Sequence, residues 1–97
     1  MNMYQLEKHK LLYELCFDFF SENIANNDFD FYELNIIEIN NDFLSMRAHY
    51  QIKYESIVYD IKFDDNEQIT VYNDDTQICK YEIMYHNVKS INCVKIC

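Results

Sequence analysis

FLSMRAHYQIKYESIVYDIKF, residues 43–63, decides the fold class. Leu44, Met46, Ala48, Tyr50, Ile52 and Tyr54 alternate with Ser45, Arg47, His49, Gln51 and Lys53. Alternation with a period of two places the two sets on opposite faces of an extended chain, so 43–54 is expected to be a long antiparallel strand buried on one side. The pattern resumes at Ile57, with Ile57, Tyr59, Ile61 and Phe63 set against Val58, Asp60 and Lys62. A tight Glu55-Ser56 turn pairs Tyr54 with Ile57 and brings both apolar rows onto one face.

Downstream, Asp64-Asp65-Asn66 reads as a three-residue loop with Asn66 in the left-handed region. That loop would pair Phe63 with Glu67, Ile61 with Ile69 and Tyr59 with Val71. The cluster 73–76 marks another turn. Residues 77–86 alternate again, His86-Asn87 reads as a turn, and 88–96 as a last strand. Upstream, 31–39 (FYELNIIEI) reads as a strand whose alternation slips between Ile36 and Ile37, the mark of a bulge or a face switch, with helix as the alternative. Residues 3–25 form a helical stretch without breakers. Leu11, Leu12, Leu15, Cys16, Phe19 and Phe20 cover half its circumference, and Tyr13, Phe17 and Ile24 widen the apolar arc to about 240°. Glu7, Lys10, Glu14, Asp18 and Ser21 are left as the polar strip. So wide an arc fits a helix enclosed by a curved sheet or one that meets a second surface.

The expected architecture is a single α+β domain, residues 1–97: an N-terminal α-helix packed on a curved antiparallel meander sheet of five or six strands. Nine Tyr and seven Phe supply a core for so short a chain. Gly and Pro are absent, against average usage of about 7% and 5%. Turns needing positive φ are therefore expected to use Asn or Asp. The wealth of Asn, Ile, Lys, Tyr and Asp, all served by AT-rich codons, points to an AT-rich genome such as that of a low-GC bacterium, its phage or another mobile element.

The net charge of −9 is unevenly spread. Residues 11–46 hold Glu14, Asp18, Glu22, Asp28, Asp30, Glu33, Glu38 and Asp42 with no Lys or Arg. Residues 64–79 hold Asp64, Asp65, Glu67, Asp74 and Asp75, again with no base. The eight Lys and Arg are scattered singly, which argues against direct nucleic-acid binding, since phosphate contact needs them clustered.

Catalytic and cofactor motifs are weak. A chain without Gly has no Gly-rich phosphate loop. Structural zinc sites favour two close pairs, whereas among Cys79, His86, Cys93 and Cys97 the one near pair, Cys93 and Cys97, is held about 13 Å apart along a strand; Asp64–Glu67 lacks the ligand spacing of a calcium loop. Cys16 sits on the buried arc of the helix, where a thiol is inert. No apolar run reaches the ~18 residues of a membrane span, and the charged first ten residues are not a secretory leader. A cytoplasmic, non-enzymatic protein with free thiols, no metal and no cofactor is expected.

The functional expectation is an inhibitor that presents carboxylates to a basic, nucleic-acid-binding surface of a partner protein. Phage anti-defence proteins such as inhibitors of CRISPR effectors, and the immunity partners of nuclease toxins, are of this type. The partner-binding residues expected are Glu14, Asp18, Glu22, Asp28, Asp30, Glu33, Asp64, Asp65, Glu67, Asp74 and Asp75. Two alternatives stand beside it: a homodimer or structural subunit joined through Tyr13, Phe17 and Ile24, and a small-molecule binder with a cavity between helix and sheet.

Overall fold

The computed structural model describes residues 3–23, 34–54, 56–87 and 90–96. It has one helix, α1 (Met3–Asn23), and six strands: β1 (Asn35–Asn41), β2 (Ala48–Tyr54), β3 (Ile57–Phe63), β4 (Gln68–Asn73), β5 (Thr76–Asn87) and β6 (Ser90–Lys95). The strands form one antiparallel sheet in chain order, with β1 and β6 at its two open edges. This is the expected α+β meander with six strands. No β-branched residue interrupts α1, which keeps side-chain entropy loss along it low. No described helix is long and apolar enough to cross a membrane.

The core lies between one face of α1 and the inner rows of the sheet. Leu11, Leu15, Cys16, Ile52, Ile61, Ile69 and Val71 are completely buried there. Each large apolar side chain so buried contributes about 1.5–3 kcal/mol relative to exposure. At the C-terminal end of α1, Phe19 and Phe20 pack edge-on against Tyr59, with ring centroids 5.4 and 5.3 Å apart. Phe20 also meets Tyr54 at 5.0 Å.

The hairpin joining β2 and β3 has the expected register, Tyr54 opposite Ile57. Ser56 takes φ 70° there, as a two-residue turn of this hand demands. At the next hairpin the observed register differs by two: Phe63 faces Ile69, Ile61 faces Val71 and Tyr59 faces Asn73. The Asp64 carboxylate is the cause. It accepts the backbone N–H groups of Asn66 (2.8 Å) and Gln68 (3.2 Å), while Asp64 N–H bonds to the Gln68 carbonyl. Asp64 thus closes the strand, the loop moves to residues 65–67, and Glu67 rather than Asn66 takes the left-handed conformation, φ 60°. Side chains alternate with period two, so a shift of two leaves every residue on its expected face.

Asp74 and Asp75 both have positive φ, the mark of a type I′ turn, and Asn73 pairs with Thr76. Positive φ among the described residues falls on Ser56, Glu67, Asp74 and Asp75, and not on any Asn. Register decides which residue occupies the special position. β5 carries one extra residue, Ile78, opposite the Val71-Tyr72 step, and runs through the expected His86-Asn87 turn to pair Asn87 with Ser90.

Two upstream expectations are corrected. The bulge in β1 falls at Ile39, between Glu38 and Asn40, rather than at Ile36-Ile37. The strand expected over 43–54 begins only at Ala48. Residues 42–47 are a loop knotted by side chains: Asp42 accepts from Leu44 N–H and the Ser45 hydroxyl, each at 3.0 Å, and the Ser45 hydroxyl accepts Arg47 N–H at 3.1 Å. Met46 is buried as expected, but Leu44 is 83% exposed.

Lys8 anchors this loop to the helix. It is completely buried, three, four and seven residues before Leu11, Leu12 and Leu15 on the same face. Its ammonium donates to Asn41 Oδ1 (2.7 Å), the Asp42 carbonyl (2.6 Å) and the Arg47 carbonyl (3.1 Å), using all three donors. Burial pushes the ammonium pKa down, and the charges of Asp42, Glu38 and Asp65 oppose that shift.

Candidate functional site

The β6 edge and the flank of α1 form the candidate site. Ile96 N–H bonds to the Lys80 carbonyl of β5. Backbone groups alternate in direction along a strand, so residues 92 and 94 also turn their N–H groups toward β5, while 91, 93 and 95 turn theirs to the free edge. The Cys93 backbone N–H favours the ionised form of Glu14 on α1, so a helix carboxylate stands beside an edge strand that would otherwise offer its donors to another chain.

One turn further along α1, Asp18 accepts the hydroxyl proton of buried Tyr81 at 2.7 Å. Burial, and then the Asp18 bond, push the Tyr81 phenol pKa well up, so the phenol stays a donor. Between the two carboxylates Phe17 stands 55% exposed. A groove of about 530 Å³ is lined by Glu14, Phe17, Asp18, Tyr81, Cys93, Val94 and Lys95. A neighbouring groove of about 430 Å³ shares Glu14 and Phe17 and adds His9, Lys10, Tyr13 and Ile91. Burial raises the Glu14 carboxyl and Asp18 adds to that, against the Cys93 N–H. Burial likewise pushes the Cys93 thiol up to about 12, helped by Glu14 and Asp18. Cys16 is shifted the same way, mainly by burial. Thiols held protonated in this way are poor nucleophiles.

The expected carboxylates occupy three places. Glu14 and Asp18 flank the α1–β6 grooves. Asp64, Asp65 and Glu67 lie at the β3–β4 loop, where Asp65 joins Glu38 and Asp42 around Lys8 and Glu67 joins Glu7 near Tyr85. Asp74 and Asp75 sit at the far end of β4, roughly 20 Å away by the rise of a six-residue strand. Four of these serve the backbone, since Asp64 caps its loop and Glu67, Asp74 and Asp75 hold positive φ. The side chain of Glu22, and Asp28, Asp30, Glu33 and Ile24 entirely, lie outside the described residues. Tyr13 and Phe17 are exposed on the helix flank rather than enclosed by the sheet, Tyr13 at 44%.

Among the described residues no three His, Cys, Asp or Glu side chains converge as a metal site. Sequence reading misses Lys8, although its spacing from Leu11, Leu12 and Leu15 is the available signal. Comparison with known proteins found no matching family model, curated protein or solved structure.

Proposed function

We propose that this protein is a small, non-enzymatic binding module that docks on a basic surface of a partner protein through its α1–β6 flank. The observation that carries the proposal is the shared location of exposed Tyr13 and Phe17 with Glu14 and Asp18, beside Ile91 and Val94. Aromatic anchors rimmed by charge are the usual composition of a binding hot spot. A net charge of −9 steers the chain toward cationic surfaces and away from nucleic acid itself. A basic groove that otherwise holds DNA or RNA is such a surface, so the module acts as an inhibitor of a nuclease or CRISPR effector, or as an immunity partner. The carboxylates at the two ends of the sheet add steering rather than contact.

The test is capture of the partner from phage-infected host lysate at low salt, followed by affinity measurement on the purified pair. Phe17→Ala and the double reversal Glu14→Lys/Asp18→Lys should each weaken binding at least ten-fold, the scale of a hot-spot loss of about 1.4 kcal/mol or more. Affinity should also fall steeply with salt. Binding that ignores both changes excludes this surface.

The exposure of Tyr13 and Phe17 also suits a second reading, a homodimer. Two chains of −9 repel one another, and sedimentation as a monomer at micromolar concentration removes that reading.

A further inference from the structure

On the sheet face turned away from α1, the register aligns Asn40, His49, Lys62, Thr70 and Lys80 in one row across β1 to β5. Each carries a side-chain N–H or O–H donor, and none is a carboxylate. In a chain with seventeen acids and eight Lys and Arg, this row is a local inversion of charge.

At its β1 end the row opens into a groove of about 510 Å³, lined by Asn40, Asp42, Arg47, His49 and Lys62 over Ala48 and Phe63. The carboxylates in or beside the groove, Asp42, Asp60 and Asp65, each have partners of their own. Asp42 is folded into its own loop, where Leu44 N–H and the Ser45 hydroxyl hold its pKa below the usual value. Asp60 accepts from Gln51 Nε2 (3.1 Å) and from His49 Nε2 (2.6 Å). A carboxylate only accepts, so His49 Nε2 carries the proton of that bond. Asp65 lies 3.8 Å from Arg47 with both side chains more than half exposed, a contact worth little and easily exchanged. Lys62 is placed by the Tyr72 ring, 5.0 Å from its centroid. The wall is set from behind by Lys8, which holds the Asp42 and Arg47 carbonyls.

We propose that this groove binds a small phosphate-type oxyanion, such as inorganic phosphate or a low-molecular-weight phosphate monoester. Arg47 supplies a planar fork, Lys62 a point charge, and Asn40 a neutral amide donor, with His49 placed between them. A nucleic-acid polyanion is disfavoured by the charge of the whole chain. The groove shares no lining residue with the α1–β6 grooves, so it stands or falls independently of the docking proposal.

Titration of the full chain with inorganic phosphate, at ionic strength held constant with chloride and followed by NMR, tests it. Saturable shifts are expected at Arg47, His49 and Lys62. Arg47→Gln and Lys62→Gln should each weaken binding about ten-fold or more, the loss expected for one charge-assisted contact. Both side chains are exposed, so wild-type amide dispersion should confirm that the variants fold. Lys53→Gln removes the same charge from the same sheet face outside the groove and should leave affinity unchanged. A linear, unsaturated response, or an equal loss in Lys53→Gln, overturns the site.

Discussion

Replacing Lys8 by Met should destabilise the fold by about 2–3 kcal/mol. Met has similar reach and no charge, so the change removes the ammonium while leaving little cavity. Three bonds from a charged donor are lost, each contributing about 1.5–3 kcal/mol. Two effects offset that loss. The ammonium no longer has to be desolvated, which returns several kcal/mol. Each abandoned acceptor also keeps a second partner: Asn41 Oδ1 retains Gln5 Nε2 (3.2 Å), the Arg47 carbonyl retains Asp42 N–H (3.1 Å), and the Asp42 carbonyl retains Ser45 N–H (3.4 Å). The remainder corresponds to a melting temperature lower by roughly 10–20 °C for a domain of this size. Urea unfolding gives the free energy directly, and amide exchange at Asp42 and Ser45 reports whether the loop has loosened. A double-mutant cycle with Asn41→Ala should show coupling above about 0.5 kcal/mol, as contacting residues do. A loss within the ~0.5 kcal/mol of ordinary surface substitutions, or zero coupling, would refute the view that Lys8 pins the loop to the helix.

Burial, assisted by Asp18, raises the Glu14 carboxyl above its ordinary 4.5. The folded state therefore holds that proton more tightly than the unfolded chain, and the associated stability is present below 4.5 and lost as pH rises through the folded value. Glu14→Gln should flatten the pH dependence of stability above 4.5; identical slopes in the two proteins would contradict the assignment. Asp75→Gly should stabilise by about 0.5–1 kcal/mol, because Asp75 holds φ 63° in a type I′ turn that Gly adopts without a Cβ clash. Chemical denaturation measures this, and a destabilised variant would mean that the Asp75 side chain contributes more than its backbone costs.

Much of the fold is legible in the sequence because its signals are local. Alternation along Ala48–Tyr54 and Ile57–Phe63 gives strand, face and hairpin together, and α1 has the composition of a helix over its full length. Sequence and structure part where side chains bond to the backbone. Leu44 continues the alternation perfectly, yet Asp42 and Ser45 bend residues 42–47 into a loop that leaves it in solvent. Asp64, one member of an acidic trio, captures two N–H groups and moves the register by two. Alternation is blind to that shift, because it repeats every two residues. The candidate site is legible only in part. Tyr13 and Phe17 stand out as an excess of apolar arc, but their exposure depends on how far the sheet reaches around α1.

From the sequence alone follow the α+β class, the order of helix and strands, the face on which each core residue lies, and the excess of negative charge. These depend on periodicity and composition, which the chain carries without reference to its folded partners. Tertiary structure alone decided where the charges meet. It divided the expected carboxylates among the described residues between the α1–β6 flank and two ends of the sheet, and it brought Lys62 and Lys80 into one row on the outer face. It also buried Lys8 beneath a loop more than thirty residues away in the chain. Cross-strand register and helix docking are long-range pairings, and no local spacing encodes them.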